Sequence, residues 1–166
     1  WSGFIRNEEL LVEKEFFTTL SANRIIWGFV SGAESASAKF VLENRLKLIS
    51  PPLIAMGDAP DKPDPQGFLY LSTKLSERSL GDENVPIAYV GDTIADINTV
   101  SNAKKIIPGQ KFISIGVAPP HLHLESRMKE RISYESKLKE AGADLILNTV
   151  NDLKNIDIDF FKKFQE

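Results

Sequence analysis

Short apolar runs alternate with stretches of helical periodicity along this sequence, and that alternation constrains the fold more than any other feature. The apolar runs span residues 25–30, 53–56, 86–90, 112–117 and 144–147. Each run has the length of a strand, and continuous apolar character is typical of strands covered on both faces. Apolar residues recur at helical spacing over 12–23, 34–46, 65–75, 95–103 and 127–141, and the tail at 152–164 is also helical in pattern. The sequence therefore predicts an α/β fold with a mainly parallel sheet.

Composition excludes several classes of function. The 166 residues carry a net charge of -3, whereas proteins that bind a nucleic-acid backbone show a basic excess, so we expect no nucleic-acid partner. No apolar run approaches the roughly 20 residues that span a bilayer, so we expect no membrane partner. The sequence has no cysteine, which excludes disulfides and thiolate catalysis and fits a reducing, cytoplasmic location.

The residues that follow the third apolar run are the strongest candidates for a metal site. Ligands of parallel sheets bind at the carboxyl ends of strands, and the sequence there is Gly-Asp-Thr-Ile-Ala-Asp at 91–96. Asp92 and Asp96 can face one hard cation, and Mg²⁺ prefers one or two carboxylates together with waters and a substrate phosphate. In the alternative interpretation, Asp92 caps the next helix and Asp96 is a solvated acid in its first turn.

Two earlier loops supply candidate phosphate ligands. Ser31 and Gly32 follow the first run, where a hydroxyl and backbone N–H groups can cradle an anion, although Ser31 could instead be a helix cap. Lys62 lies in Lys-Pro-Asp-Pro at 62–65, where two prolines restrict the backbone, so that its charge could be held toward a phosphate. The alternative for Lys62 is an ordinary solvated lysine before a helix.

The order and spacing of these three features resemble the second, third and fourth motifs of the haloacid dehalogenase-like (HAD) hydrolase superfamily, in its phosphoglycolate-phosphatase-like branch. The resemblance covers about residues 12–120 and implies a three-layer, Rossmann-like core. It implies that Ser31 and Lys62 are catalytic, that Ser31, Gly32 and Lys62 bind phosphate, and that Asp92 and Asp96 bind Mg²⁺. These roles match phosphoryl transfer, in which positioning and charge neutralisation do most of the catalysis.

The first motif of that superfamily, Asp-x-Asp-x-Thr, is missing from this sequence, and so is the cap that would follow it. The resemblance places the missing strand between the strands that end before Ser31 and Asp92. We therefore expect residues 1–11 to be the end of a cap or hinge segment and 12–166 to be a core that is incomplete at its N-terminus. Its partner would be a missing N-terminal segment of the same protein, and residues 1–166 alone would be inactive and unstable as a monomer.

The resulting hypothesis is that this chain is the C-terminal part of a Mg²⁺-dependent phosphatase. It would hydrolyse a small phosphorylated metabolite through an aspartyl-phosphate whose nucleophile lies outside this chain. The alternative is an inactive HAD-like domain that binds or regulates. A receiver domain and a dinucleotide-binding domain are disfavoured, because the acidic pair of the first and the G-x-G-x-x-G of the second are absent. His121 and His123 could bind a metal with a third ligand, but a polar loop is the simpler interpretation.

Overall fold

A computed structural model describes residues 14–22, 26–32, 34–49, 51–55, 57–77, 79–81 and 85–148. The chain divides into two compact units, Trp1–Ser79 and Leu80–Glu166. The expected hinge at 1–11 and the helical tail at 152–164 lie outside the described residues, and the division into hinge and core stays a prediction.

The described part of the first unit contains three α-helices, one π-helical segment and a two-stranded parallel sheet. The helices are α1 (Lys14–Ala22), α2 (Ser35–Lys39) and α3 (Gln66–Ser76), and the strands are β1 (Phe29–Val30) and β2 (Leu53–Ile54). Phe29 pairs with Leu53 and Val30 with Ile54. The apolar faces predicted from the helical spacing are buried, with a core that includes Phe16, Phe17, Leu20, Ala38, Leu42, Leu46, Phe68 and Leu71.

Two predicted elements in this unit differ from the observed ones, one in its type of helix and one in its length. The helix expected over 34–46 is α-helical only to Lys39 and continues as a π-helix over Phe40–Arg45, where the N–H of Leu46 donates to the carbonyl of Val41 at 2.9 Å. The strand expected over 25–30 begins to pair only at Phe29, whose N–H donates to the carbonyl of Pro52 at 2.9 Å. Trp27 consequently lies before the strand and is half-buried, in contact with the ring of Phe17.

The second unit is built on a three-stranded parallel sheet in the order β3-β4-β5. Its strands are β3 (Ile87–Gly91), β4 (Phe112–Val117) and β5 (Leu145–Leu147), and its helices are α4 (Ile94–Ile106) and α5 (Met128–Ala141). All six residues of β4 are buried, as expected for a central strand covered on both faces. Gly142 ends α5 with φ at 121°, a conformation that residues other than glycine rarely adopt.

Two small clusters of apolar side chains lie in the core of this unit, one joining α4 and α5 to β5 and the other within the sheet. One cluster consists of Ile97, Leu138 and Ala143, with Tyr134 packed against it, and another of Ile113, Ile115 and Leu147. The core therefore fixes α4 and α5 to the sheet and positions the turn that follows β3. None of the helices among the described residues is both long and apolar enough to cross a bilayer.

The observed topology confirms the predicted α/β class with parallel strands. Within the described ranges, β1–β2 and β3–β4–β5 are separate sheets, so β1 and β3 each have a single neighbouring strand. The strand that the resemblance would place between them is therefore not among the described strands.

Candidate functional site

The segment 91–96 begins at the end of β3 and leads directly into α4. Thr93 is the N-cap of α4, and its hydroxyl accepts a hydrogen bond from the N–H of Asp96 at 3.1 Å. Oδ2 of Asp96 in turn accepts from the N–H of Thr93 at 3.1 Å, which completes a capping box. The alternative interpretation, in which Asp92 is the cap and Asp96 is solvated, is therefore wrong.

The carboxylate of Asp96 is enclosed by hydrogen-bond donors. Asp96 is only 3% exposed. Its Oδ2 also accepts from the N–H of Asp92 at 3.1 Å and from the hydroxyl of Thr93 at 2.9 Å, and its Oδ1 accepts from the hydroxyl of Tyr89 at 2.9 Å. A buried carboxylate is costly unless its oxygens are hydrogen-bonded, and here both oxygens are. The structure thus gives Asp96 a part in building the turn, and direct metal binding by Asp96 stays a prediction.

Two tyrosines that the motifs did not reveal contact this segment. Tyr89 lies in β3, and Tyr134 reaches from α5 to donate its hydroxyl to the backbone carbonyl of Asp92. Burial raises the pKa of the Tyr89 phenol, and the charge of Asp96, its hydrogen bond and Asp92 raise it further. Burial, followed by Asp92 and Asp96, also raises the pKa of Tyr134. Both hydroxyls therefore remain protonated donors at neutral pH.

Asp92 itself has the chemistry of a magnesium ligand. It is half-exposed at the carboxyl end of β3, and its side chain offers the hard oxygen donors that Mg²⁺ prefers. In the part of the chain that the structure describes, no group of three or more His, Cys, Asp or Glu side chains could hold a metal. Mg²⁺ takes one or two protein carboxylates together with water and substrate, and magnesium binding by Asp92 stays a prediction.

Gly91 is required by the close approach of Asp96. A Cβ atom added at Gly91 would lie 2.2 Å from Cβ of Asp96 and 2.5 Å from its Cγ. Neither atom can move without breaking the capping box, because Asp96 is held by its backbone and by both carboxylate oxygens. The glycine therefore allows the acid to fold back against the end of the strand.

We expect Gly91→Ala in the full-length protein to lower the free energy of unfolding by about 1–3 kcal/mol or more, the usual cost of inserting volume into a packed site. Chemical denaturation measures this loss. Gly109→Ala is the matched control, because its added Cβ would meet its nearest neighbour, the carbonyl of Gly81, at 3.4 Å. Equal stability of the two variants would show that the segment 91–96 adjusts freely.

In the first unit, Ser31 lies immediately after β1. Its N–H donates to the carbonyl of Ile54 at 2.8 Å, so Ser31 sits beside the carboxyl end of β2. Ser31 is half-buried and Gly32 is exposed. The N-cap of α2 is Glu34, so the alternative in which Ser31 caps that helix is wrong. The placement suits an anion ligand, and phosphate binding by Ser31 and Gly32 stays a prediction.

Lys62 is held in a turn between β2 and α3. The N–H of Ala55 donates to Oδ2 of Asp58 at 2.8 Å, and the N–H of Asp64 donates to the carbonyl of Asp61 at 3.0 Å. The peptide bond that joins Lys62 to Pro63 is cis. Lys62 is half-buried rather than fully solvated. Since β1 and β2 are parallel, this turn and Ser31 leave the sheet at the same edge.

The histidine pair after β4 has an ordinary structural environment. His123 is half-buried, and its Nε2 lies 2.7 Å from the carbonyl oxygen of Ala118. His121 is exposed in the short 3₁₀ helix Pro120–Leu122. Neither belongs to a metal-holding group in the described ranges, and the interpretation as a polar loop stays a prediction.

Comparisons with known proteins identify the fold. No protein-family model matches the sequence, and no curated protein matches it. A phosphonoacetaldehyde hydrolase-like protein from Oleispira antarctica is similar in structure, with a TM-score of 0.71 and 22% identity over 92% of this chain. A protein from Bacteroides fragilis described as a haloacid dehalogenase-like hydrolase has a TM-score of 0.57 and 20% identity over 84% of this chain.

These similarities confirm the HAD-like, Rossmann-type fold that the motifs predicted. This chain spans only 56% of the length of each of the two solved structures. At such low identity the similarity establishes the fold alone, so the chemistry of the chain depends on its own residues.

Proposed function

We propose that this chain is part of a Mg²⁺-dependent hydrolase that removes phosphate from a small phosphorylated metabolite. The observation that carries the proposal is Asp92, a half-exposed carboxylate at the carboxyl end of β3 in a HAD-like fold. Its segment is fixed by a capping box and by two tyrosine hydroxyls. Such fixation is what a catalytic carboxylate requires, because binding geometry must exist before the substrate arrives.

Each candidate residue has its own proposed role toward a phosphorylated substrate. The Ser31 hydroxyl and the N–H of Gly32 would donate hydrogen bonds to phosphoryl oxygens, and Lys62 would place a positive charge beside them. Asp92 would hold Mg²⁺, with Asp96 keeping the segment in place. When bound, Mg²⁺ supplies positive charge that offsets the charge of the phosphoryl oxygens. The nucleophilic aspartate and the residues that select the substrate would lie outside this chain.

A phosphonate substrate is the second candidate, because one of the structurally similar proteins is described as phosphonoacetaldehyde hydrolase-like. A phosphonate presents the same phosphoryl oxygens, and the proposed roles of Ser31, Lys62 and Asp92 would be unchanged. A cytoplasmic location also stays a prediction.

The test is a phosphate-release assay with the full-length protein. We expect hydrolysis of a panel of small phosphomonoesters that stops on addition of EDTA and returns with Mg²⁺. A parallel panel of small phosphonates separates the two substrate classes. Specific Mg²⁺ and phosphate binding without hydrolysis of either panel would instead support the inactive binding domain, and activity unchanged by EDTA would contradict the proposal.

A further inference from the structure

Two of the three tyrosines in this sequence lie at the segment 91–96. Tyr89, in β3, donates to Oδ1 of Asp96 at 2.9 Å, and Tyr134, in α5, donates to the backbone carbonyl of Asp92. The third, Tyr70, is on α3 and is 62% exposed. The two hydroxyls therefore approach one turn from different elements, and only Tyr89 is near it in sequence.

Tyr89 completes the enclosure of Asp96. Hydrogen bonds from the N–H of Asp92 and from the N–H and hydroxyl of Thr93 reach Oδ2 of this carboxylate. The hydroxyl of Tyr89 donates to the other oxygen, Oδ1, at 2.9 Å. A cation that bound Asp96 directly would have to displace these donors from a residue that is 3% exposed. The contacts suit a carboxylate that holds a turn rather than one that binds an ion.

The peptide plane between Asp92 and Thr93 is held at both ends. Its carbonyl accepts from the hydroxyl of Tyr134, and its N–H donates to Oδ2 of Asp96 at 3.1 Å. The N–H of Asp92 donates to the same Oδ2, also at 3.1 Å. The backbone is thus fixed on either side of the Asp92 Cα, which sets the direction of the Cα–Cβ bond and so the region that the carboxylate can reach.

We infer that Tyr89 and Tyr134 are positioning residues that aim the Asp92 carboxylate at its cation, with Asp96 as the scaffold between them. The inference rests on the proposed role of Asp92. Groups that orient a metal ligand without touching the metal are worth about 10- to 100-fold in metal affinity. The tyrosines act through Asp96 and the Asp92 backbone, so the loss of either hydroxyl should appear in the metal affinity.

Tyr134→Phe is the primary test, because the ring that packs against the cluster of Ile97, Leu138 and Ala143 is kept and only the hydroxyl is lost. We expect isothermal titration of the full-length protein with Mg²⁺ to give a Kd about 10-fold above that of the parent. The melting temperature without Mg²⁺ should change little. Tyr89→Phe should weaken Mg²⁺ at least as much and also lower the melting temperature, since it leaves Oδ1 of Asp96 without that donor. Tyr70→Phe is the matched control and should leave both quantities unchanged.

The outcomes separate this inference from the proposed function. A parent that binds Mg²⁺ while Tyr134→Phe binds it with the same Kd would overturn the inference and leave the function intact. A Tyr134→Phe variant with a lower melting temperature and an unchanged Kd would assign Tyr134 to packing alone, which also overturns it. A full-length parent that binds no Mg²⁺ would overturn both. If Tyr89→Phe does not fold, Tyr134→Phe decides the question alone.

Discussion

Replacing Asp92 with asparagine in the full-length protein is expected to reduce kcat/KM by on the order of 1,000-fold, the scale on which preorganised charge contributes to catalysis. Asparagine keeps the size and one oxygen of the side chain but loses the negative charge that would hold Mg²⁺. The backbone bonds of Asp92, to Tyr134 and to Asp96, do not involve its carboxylate. Steady-state kinetics over a range of Mg²⁺ concentrations, with calorimetric titration of Mg²⁺, measures the loss.

Asp96→Asn is the comparison variant, because the proposed role of Asp92 is to bind Mg²⁺, whereas that of Asp96 is to hold the turn. An amide at position 96 must direct an NH₂ group toward Tyr89 or toward the donors of Asp92 and Thr93, all of which need an acceptor. We expect Asp96→Asn to lower stability by about 1–3 kcal/mol, the cost of buried groups left unpaired. Asp92→Asn should leave the melting temperature without Mg²⁺ unchanged.

Glu140→Gln, on the exposed surface of α5, controls for the loss of one negative charge in the same unit. It should retain parental kinetics and Mg²⁺ affinity. An Asp92→Asn variant with parental Mg²⁺ dependence would remove Asp92 from the proposed site. A large loss of stability in that variant would mean that its inactivity reports unfolding rather than a missing ligand.

Elements with continuous apolar character could be predicted closely from the sequence. The strand predicted over 112–117 is β4 to the residue, and the run at 86–90 is β3 displaced by one position. All six residues of β4 are buried, so its local apolar pattern carries the signal for the strand, whereas in β3 only Tyr89 is fully buried. The strands at 25–30 and 53–56 were predicted too long, because the extent of pairing depends on a neighbouring strand, which the pattern of a single strand does not contain.

In the site, too, contacts between residues close in sequence could be predicted, whereas contacts between residues far apart in sequence could not. The motif 91–96 could be found because its residues are adjacent in sequence and its turn geometry is local. The capping role of Thr93 could also be predicted, since Thr-x-x-Asp ahead of a helix is a recognisable signature of a capping box. The alternative interpretation placed the cap at Asp92 instead. Tyr134 could not be found, because it lies 42 residues from Asp92 and only the packing of α5 brings it there.

Lys62→Ala in the full-length protein is the second change with a large expected effect. We expect kcat to fall by about 100- to 1,000-fold. The proposed role of Lys62 is to offset charge on the phosphoryl oxygens, and the uncharged alanine side chain cannot do so. Hydrogen bonds among other residues, from Ala55 to Asp58, from Asp64 to Asp61 and from Gln66 to Asp64, hold the turn around it. The variant should therefore melt close to the parent, within about 1 kcal/mol in stability.

Lys74→Ala is the matched control, since Lys74 is an exposed lysine on α3 of the same unit. It should be as active and as stable as the parent. Lys62→Arg tests what the site requires, because arginine keeps the charge but presents a wider, planar group, and partial activity would show that charge contributes apart from shape. A Lys62→Ala variant with parental kcat would make Lys62 an ordinary loop residue. A residue that acts on phosphate must change turnover in a protein that is still folded. If Lys62→Ala loses activity only because it unfolds, the contribution of Lys62 is to the stability of the turn.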